Sequence, residues 1–166
     1  MTVRHQAPTF DDVTLLVSSM TAKQDAARTY EILDAIVQRR FSHKLLTILR
    51  YVEKDMEVER LYSSNSAIYP PLGRKKKEDT VWGRVVLDQG KVLISANADD
   101  IRKNFSDFDT IFSLGIAGMI NVPVAWNGAV LGSINISHEE GHFSEADAEP
   151  LMVLAGIIAP LVGGDF

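Results

Sequence analysis

The 166-residue chain contains no cysteine. That absence excludes disulfide scaffolds, thiolate zinc sites, thiol redox chemistry and thioether-linked chromophores, and it fits a reducing compartment. Positive charge is also short: 17 Lys and Arg stand against 22 Asp and Glu, a formal net charge of −5. Such a balance supplies no basic face for a nucleic acid, so no nucleic-acid partner is expected. Long apolar runs are missing as well. The first twenty residues hold nothing longer than Leu15-Leu16-Val17, which is too little for a signal peptide. The charge-free run Pro150 to Gly164 carries two prolines and three glycines and is read as too short to span a bilayer. Together these absences predict a cytoplasmic protein with no membrane partner.

What remains is a folded-domain composition. Apolar residues make up 46% and charged residues 23%, and this length suits one domain with its own core. Residues 1–9 read as a loose terminus. From Phe10 to Phe41 the pattern is helical, with a break expected near Ser18-Ser19-Met20-Thr21; in the second half Ala26, Tyr30, Leu33 and Val37 recur at three- and four-residue spacing. Leu45–Val52 and Val58–Ser63 read as strands around a turn at Lys54-Asp55. The stretch SNSAIYPPLGRKKKED is expected to be irregular, its charge run Arg74–Asp79 solvated or acting as a mobile lid. Asp79 or Thr80 caps a short helix that Gly90 stops, Val92–Ser95 is a short strand, and ADDIRKNFSDFDTIFSLG supplies short helices or capped turns in which Asp99 and Asp100 serve as caps.

The strongest local signal is Asn127-Gly128 between two alternating runs, which asks for a two-residue type I′ hairpin. With that register, Ile120, Val122, Val124, Leu131, Ser133 and Asn135 share one face of the sheet. Asn121, Pro123, Ala125, Val130 and Ile134 share the other. Ser144 then caps a final helix with Glu145 and Asp147 in its first turn. Strands adjacent in hairpins, with helices before and after, predict an α+β domain built on a mostly antiparallel sheet.

Three segments carry a family resemblance: TVWGRVVLDQGKVLIS, SLGIAGMINVPVAWNGAVLGSINIS and FSEADAEPLMVLAG. In order, they are a helix with a glycine leading into a strand, a hairpin with V-P and G-A-V-L-G, and F-x-x-x-D before a terminal L-A helix. This pattern resembles the GAF domain family over about residues 22–162. The resemblance implies a GAF-like, PAS-related fold: a central antiparallel sheet of about six strands, terminal helices on one face, short helices and loops over the other. Residues 1–21 would be an N-terminal extension or short helix, and 22–166 a single GAF domain. GAF domains are mostly small-ligand sensors and dimerisation modules, so family likeness does not fix a function. The phosphodiesterase cyclic-nucleotide motif is kept here only at Phe143 and Asp147. Free methionine-R-sulfoxide reductases share the size and fold, but their chemistry needs thiols that this chain lacks.

By resemblance, Trp82, Phe105, Phe112, Ile116 and Asn135 fall at ligand-lining positions, where bulky Trp82 and Phe112 would shrink or fill a cavity. Ser133 shares a face with Asn135, and Asp109 lies inside the lid segment; both are candidates. The bland alternative is that the aromatic rings simply fill the core. The sequence His138-Glu139-Glu140-Gly141-His142 fits H-E-x-x-H, the zincin pattern, yet the first His ends a strand and Gly141 interrupts the segment. A polar loop is expected there and no metal site. The last helix is apolar on all sides. Leu151, Leu154, Ile158 and Leu161 can face the sheet, leaving Met152, Ala155 and Ala159, with Tyr30 and Leu33, for a dimer interface. The expected function is a non-catalytic sensory or regulatory module that binds an unidentified small molecule, needs no cofactor, forms a homodimer and meets a signalling protein. The alternative is a structural dimerisation module with a filled pocket. An enzyme using His138, Glu139 and His142 is the third reading.

Overall fold

The computed structural model describes residues 4–164. The first helix, α1, runs Phe10–Thr21 and opens on a reciprocal capping box, in which Thr9 and Asp12 each satisfy the other's backbone N–H. Helix α2, Ala26–Phe41, is capped by the Asp25 side chain, and its buried stripe is Thr29, Tyr30, Leu33, Ile36, Val37 and Phe41. The break between them falls at residues 22–25, a few positions beyond the predicted one. Residues 4–9 are not loose as expected: His5 is fixed by Asp147 and His142.

Strands β1 (Leu45–Val52) and β2 (Glu57–Ser63) match the two strands expected around the Lys54-Asp55 turn. The charge run departs from expectation, because Arg74–Lys76 forms a further strand, β3, on the edge beside β2. The reason is local. Backbone bonds from Arg60 N to Gly73 O and from Leu72 N to Arg60 O fold the Pro-rich loop back onto β2, and Glu57 and Glu59 receive Arg74 and Lys76. Val81 and Trp82 begin a helical turn that widens into a π-helical segment over Gly83–Asp88. Strand β4 (Leu93–Ser95), helices α3 (Ala98–Asn104) and α4 (Phe108–Ser113), strands β5 (Gly118–Trp126) and β6 (Ala129–His138) and helix α5 (Ala148–Gly163) follow. The cap of α3 is Asn97, not Asp99 or Asp100; those two occupy the first turn, where the helix dipole favours them.

The sheet has six strands in the order β3-β2-β1-β6-β5-β4, every neighbouring pair antiparallel. The α+β expectation and the six-stranded antiparallel sheet therefore hold. One face, carrying Leu46, Ile48, Ile120, Val122, Val124, Ile134 and Ile136, packs on α1, α2 and α5 to form the main core. The other face lies under the π-helical segment, α3 and α4, with two smaller apolar clusters.

The turn is as predicted, with Asn127 at φ 49° and Gly128 at φ 80°. Beyond it the predicted register fails. Ala125 pairs with Val130, but a bulge then sets Val124 opposite Gly132 instead of Leu131. A one-residue slip exchanges every subsequent side chain between faces. Ser133 and Asn135 accordingly join Pro123 and Asn121, while Ile134 joins Val122. Gly128→Ala should cost about 1 kcal/mol, since an L residue there is held at positive φ; urea unfolding with an unchanged slope is the measurement.

Residues Glu145–Gly163 form a 19-residue helical stretch long and apolar enough, by length and composition, to cross a bilayer, which corrects the expectation that this segment falls short. Its inner face is used by the fold: Leu151, Leu154, Ile158 and Val162 are fully buried on the sheet. The expected dimer residues also move. Tyr30, Leu33, Ala155 and Ala159 lie in the chain's own core, and of that set only Met152 is exposed.

Candidate ligand cavity

Between the second sheet face and the short helices lies a cavity of about 90 Å³. Its floor is the sheet. Alternation places Leu45, Thr47 and Leu49 of β1, Met119 and Asn121 of β5, and Asn135 and Ser137 of β6 toward it. Its roof is Trp82, Phe105, Asp107 and Ile111, and its outer wall is Arg60, Tyr69 and Lys75. The indole and the Phe105 ring are 6.4 Å apart between centroids and tilted by 33°, so they flank the space without filling it.

The polar floor is a directed chain. Asn121 Nδ2 donates to Asn135 Oδ1 at 2.8 Å, and Asn135 Nδ2 donates to Thr47 Oγ1 at 3.2 Å. Asn121 Oδ1 is left buried without a partner, and so is Trp82 Nε1. Buried polar atoms are seldom orphaned, and a site for a ligand is one physical reason for leaving them so. On the outer wall Tyr69 Oη donates to Asp107 at 3.0 Å, tying the loop after β2 to the start of α4. Burial, then the Asp107 charge, push the Tyr69 phenol well above its ordinary value, so it stays protonated. Arg60 lies over the Tyr69 ring with its guanidinium carbon 5.0 Å from the centroid.

Of the residues singled out from sequence, Trp82, Phe105 and Asn135 line this cavity. Phe112, Ile116, Ser133 and Asp109 do not. Phe112 sits beside Arg102, whose guanidinium covers its ring at 4.9 Å. Ile116 is buried in the neighbouring cluster with Ile101 and Ile111. Ser133 is buried on the same sheet face, opposite Pro123 and Leu49. Asp109 points to solvent, and the acid that reaches the site is Asp107, two residues earlier. Sequence reasoning missed Arg60, Tyr69, Asp107 and Asn121. The one signal was the hairpin glycine at 132, because an isolated glycine inside a strand pattern marks a bulge, and the bulge moves Asn121 and Asn135 to one face.

The HEEGH segment forms a loop. His138 ends β6, the His138 and His142 rings stack at 3.7 Å, and Glu139 reaches outward to Lys44 at 3.1 Å. The carbonyl of Phe41 can only accept, so His142 Nε2 donates to it at 2.7 Å. The same nitrogen lies 3.1 Å from His5 Nε2, which must then present a lone pair and carry its proton on Nδ1, toward Asp147 at 2.8 Å. Burial, then the neighbouring His142, push the His138 imidazole below its ordinary value. Among the described residues no three His, Asp or Glu side chains are grouped to hold a metal ion.

No family model matches the sequence, and no curated protein matches it. Solved structures do match in shape. The GAF domain of an Acinetobacter phosphoenolpyruvate-protein phosphotransferase superposes with a TM-score of 0.71 at 16% identity, covering 92% of this chain and 90% of that one. The phycocyanobilin-bound GAF domain of a cyanobacterial phytochrome gives 0.70 at 12% identity, covering 92% of each. The free methionine-R-sulfoxide reductase of Neisseria meningitidis, solved with its substrate, gives 0.67 at 16% identity, covering 98% of each.

Proposed function

We propose that this chain, whose fold is that of a GAF domain, is a small-molecule-binding sensory or regulatory module without catalytic activity. The observation that carries the reading is the cavity itself: an apolar chamber with aimed but unpartnered polar atoms, set under the two short helices. Two of the structurally similar proteins are described as holding a small molecule, a bilin in one and a substrate in the other. A ligand touching Phe105, Asp107 and Ile111 would change the stability of the 97–116 segment, and that change would be the signal. It can shift the module's state only by its differential affinity for the two states.

A homodimer belongs to the same reading. Phe10, Leu15 and Val17 on α1, and Met152 and Val153 on α5, are exposed apolar side chains on two helices that pack together. A second chain, or a signalling partner, would cover them. The alternative of a purely structural dimerisation module draws on these residues alone. Native mass spectrometry of freshly purified protein distinguishes the two by reporting chain number and retained mass together. The sensor reading expects a ligand which, at a hundredfold excess over its Kd, raises Tm by about 5–10 °C. A dimer with no retained mass and no shift from any compound of the cavity's size leaves only the assembly role.

A further inference from the structure

We infer that the cavity takes a small monocarboxylate with an apolar body, its carboxylate seated on the free edge of the Arg60 guanidinium; this deepens the ligand-binding reading above and rests on it. Arg60 is half-buried, yet of its guanidinium groups only Nη1 finds a protein acceptor, the Pro70 carbonyl at 3.0 Å. Nε is buried and unpartnered, and no ion pair to Arg60 is formed among the described residues, the nearby Asp107 being bonded to Tyr69. Nε and Nη2 form one edge of the planar fork, the edge that receives two carboxylate oxygens side by side. An arginine taken partly out of water without a directly bonded carboxylate is costly, and burial presses its pKa below the ordinary value, with Tyr69 and Asp107 only partly offsetting it.

The charge count around the chamber selects the class. Arg60 and Lys75 are the cations of the lining and Asp107 is its acid; Lys75 is met by Glu78 at 3.9 Å on the solvent side, and Asp107 takes the Tyr69 hydroxyl. Among the described residues, the Arg60 edge is the one cationic group of the lining with no acid bonded to it, and a single such edge suits a monoanion. A dianionic phosphate would meet Asp107 and find a single flat edge for three oxygens. Leu45, Leu49, Trp82, Phe105, Ile111 and Met119 make the remainder apolar. The volume of about 90 Å³, at roughly 10–15 Å³ per water-sized group, admits a body of about six to nine non-hydrogen atoms.

The test uses three probes with one carbon skeleton on the full chain by calorimetry: 4-methylpentanoate, its isosteric amide 4-methylpentanamide, and the alcohol 4-methylpentan-1-ol. Wild type should bind the carboxylate at least tenfold more tightly than the amide. Arg60→Gln should remove that preference while leaving amide binding within twofold. If that variant does not fold, Lys75→Gln serves, with a several-fold loss confined to the carboxylate and a shallower salt dependence. Equal binding of amide or alcohol in wild type overturns the carboxylate assignment and leaves the sensor reading standing. Binding of none of the three, with no retained mass in the native spectrum, overturns both.

Discussion

Gly132→Ala should lower stability by about 3–5 kcal/mol, at the upper end of what one added methyl group does. A Cβ built there would fall 1.9 Å from the Leu49 carbonyl oxygen and 3.0 Å from a Val162 methyl. Neither neighbour can withdraw. Leu49 is held in β1 between two partner strands, and Val162 belongs to the buried face of α5. For a domain whose whole stability is of order 5–15 kcal/mol, Gly132→Val should leave little folded protein. Gly156 is the control: it sits on the exposed side of α5, where an added Cβ would meet nothing within 4 Å, and Gly156→Ala should stabilise by about 0.5–1 kcal/mol. Guanidinium unfolding of the three variants reads the contrast. Loss of less than about 1 kcal/mol at Gly132 would show that β6 does not approach β1 this closely.

The second large effect is expected at Asp12. This carboxylate is buried at the start of α1, where it accepts the Thr9 backbone N–H at 2.9 Å and contacts Arg39 and Arg40 at 2.6 Å each. Burial by itself would raise its pKa, but the Thr9 bond and the two guanidinium groups more than offset this and hold it well below the usual carboxylate range. Asp12→Ala should cost about 2–4 kcal/mol, because it leaves the partly covered Arg40 without its carboxylate and removes the half of the capping box that satisfies the Thr9 N–H. The pH dependence has a definite sign. The unfolded chain takes up this proton first, so the contribution is complete above about pH 4 and declines as pH falls below it. Asp12→Asn should be less stable at pH 7 and should lose less than wild type between pH 4 and pH 2. Parallel acid titrations by circular dichroism measure this, and identical slopes would mean that the ion pairs carry no linkage.

Much of the fold was legible because the sequence repeats its physical demands. Two strand-like runs on either side of the Lys54-Asp55 turn announced β1 and β2, the Asn-Gly pair announced the turn of the later hairpin, and the three- and four-residue spacing announced α2. β3 was illegible because nothing in Arg-Lys-Lys favours a strand; it pairs only because the preceding loop is bonded back to Arg60 and because Glu57 and Glu59 wait opposite. The cavity was half legible. Trp82, Phe105 and Asn135 lie in segments whose role the family pattern suggests, whereas Arg60, Tyr69 and Asp107 come from separate parts of the chain. Their only link is tertiary, through the Tyr69–Asp107 bond and the ring under Arg60. The face assignment of Asn135 turned on one glycine, and a strict two-residue hairpin template hid it.

The three-residue strand at the margin bears on solubility. A sheet boundary with free backbone groups invites other chains to add to it. Here that boundary is brief, every one of its side chains is a cation, and the sheet behind it supplies matching acids from Glu57 and Glu59. An incoming strand would have to strip those ion pairs and tolerate three like charges for very few ladder bonds. On this side the molecule guards itself against fibril-like growth, and neutralising Arg74, Lys75 and Lys76 together would remove the guard.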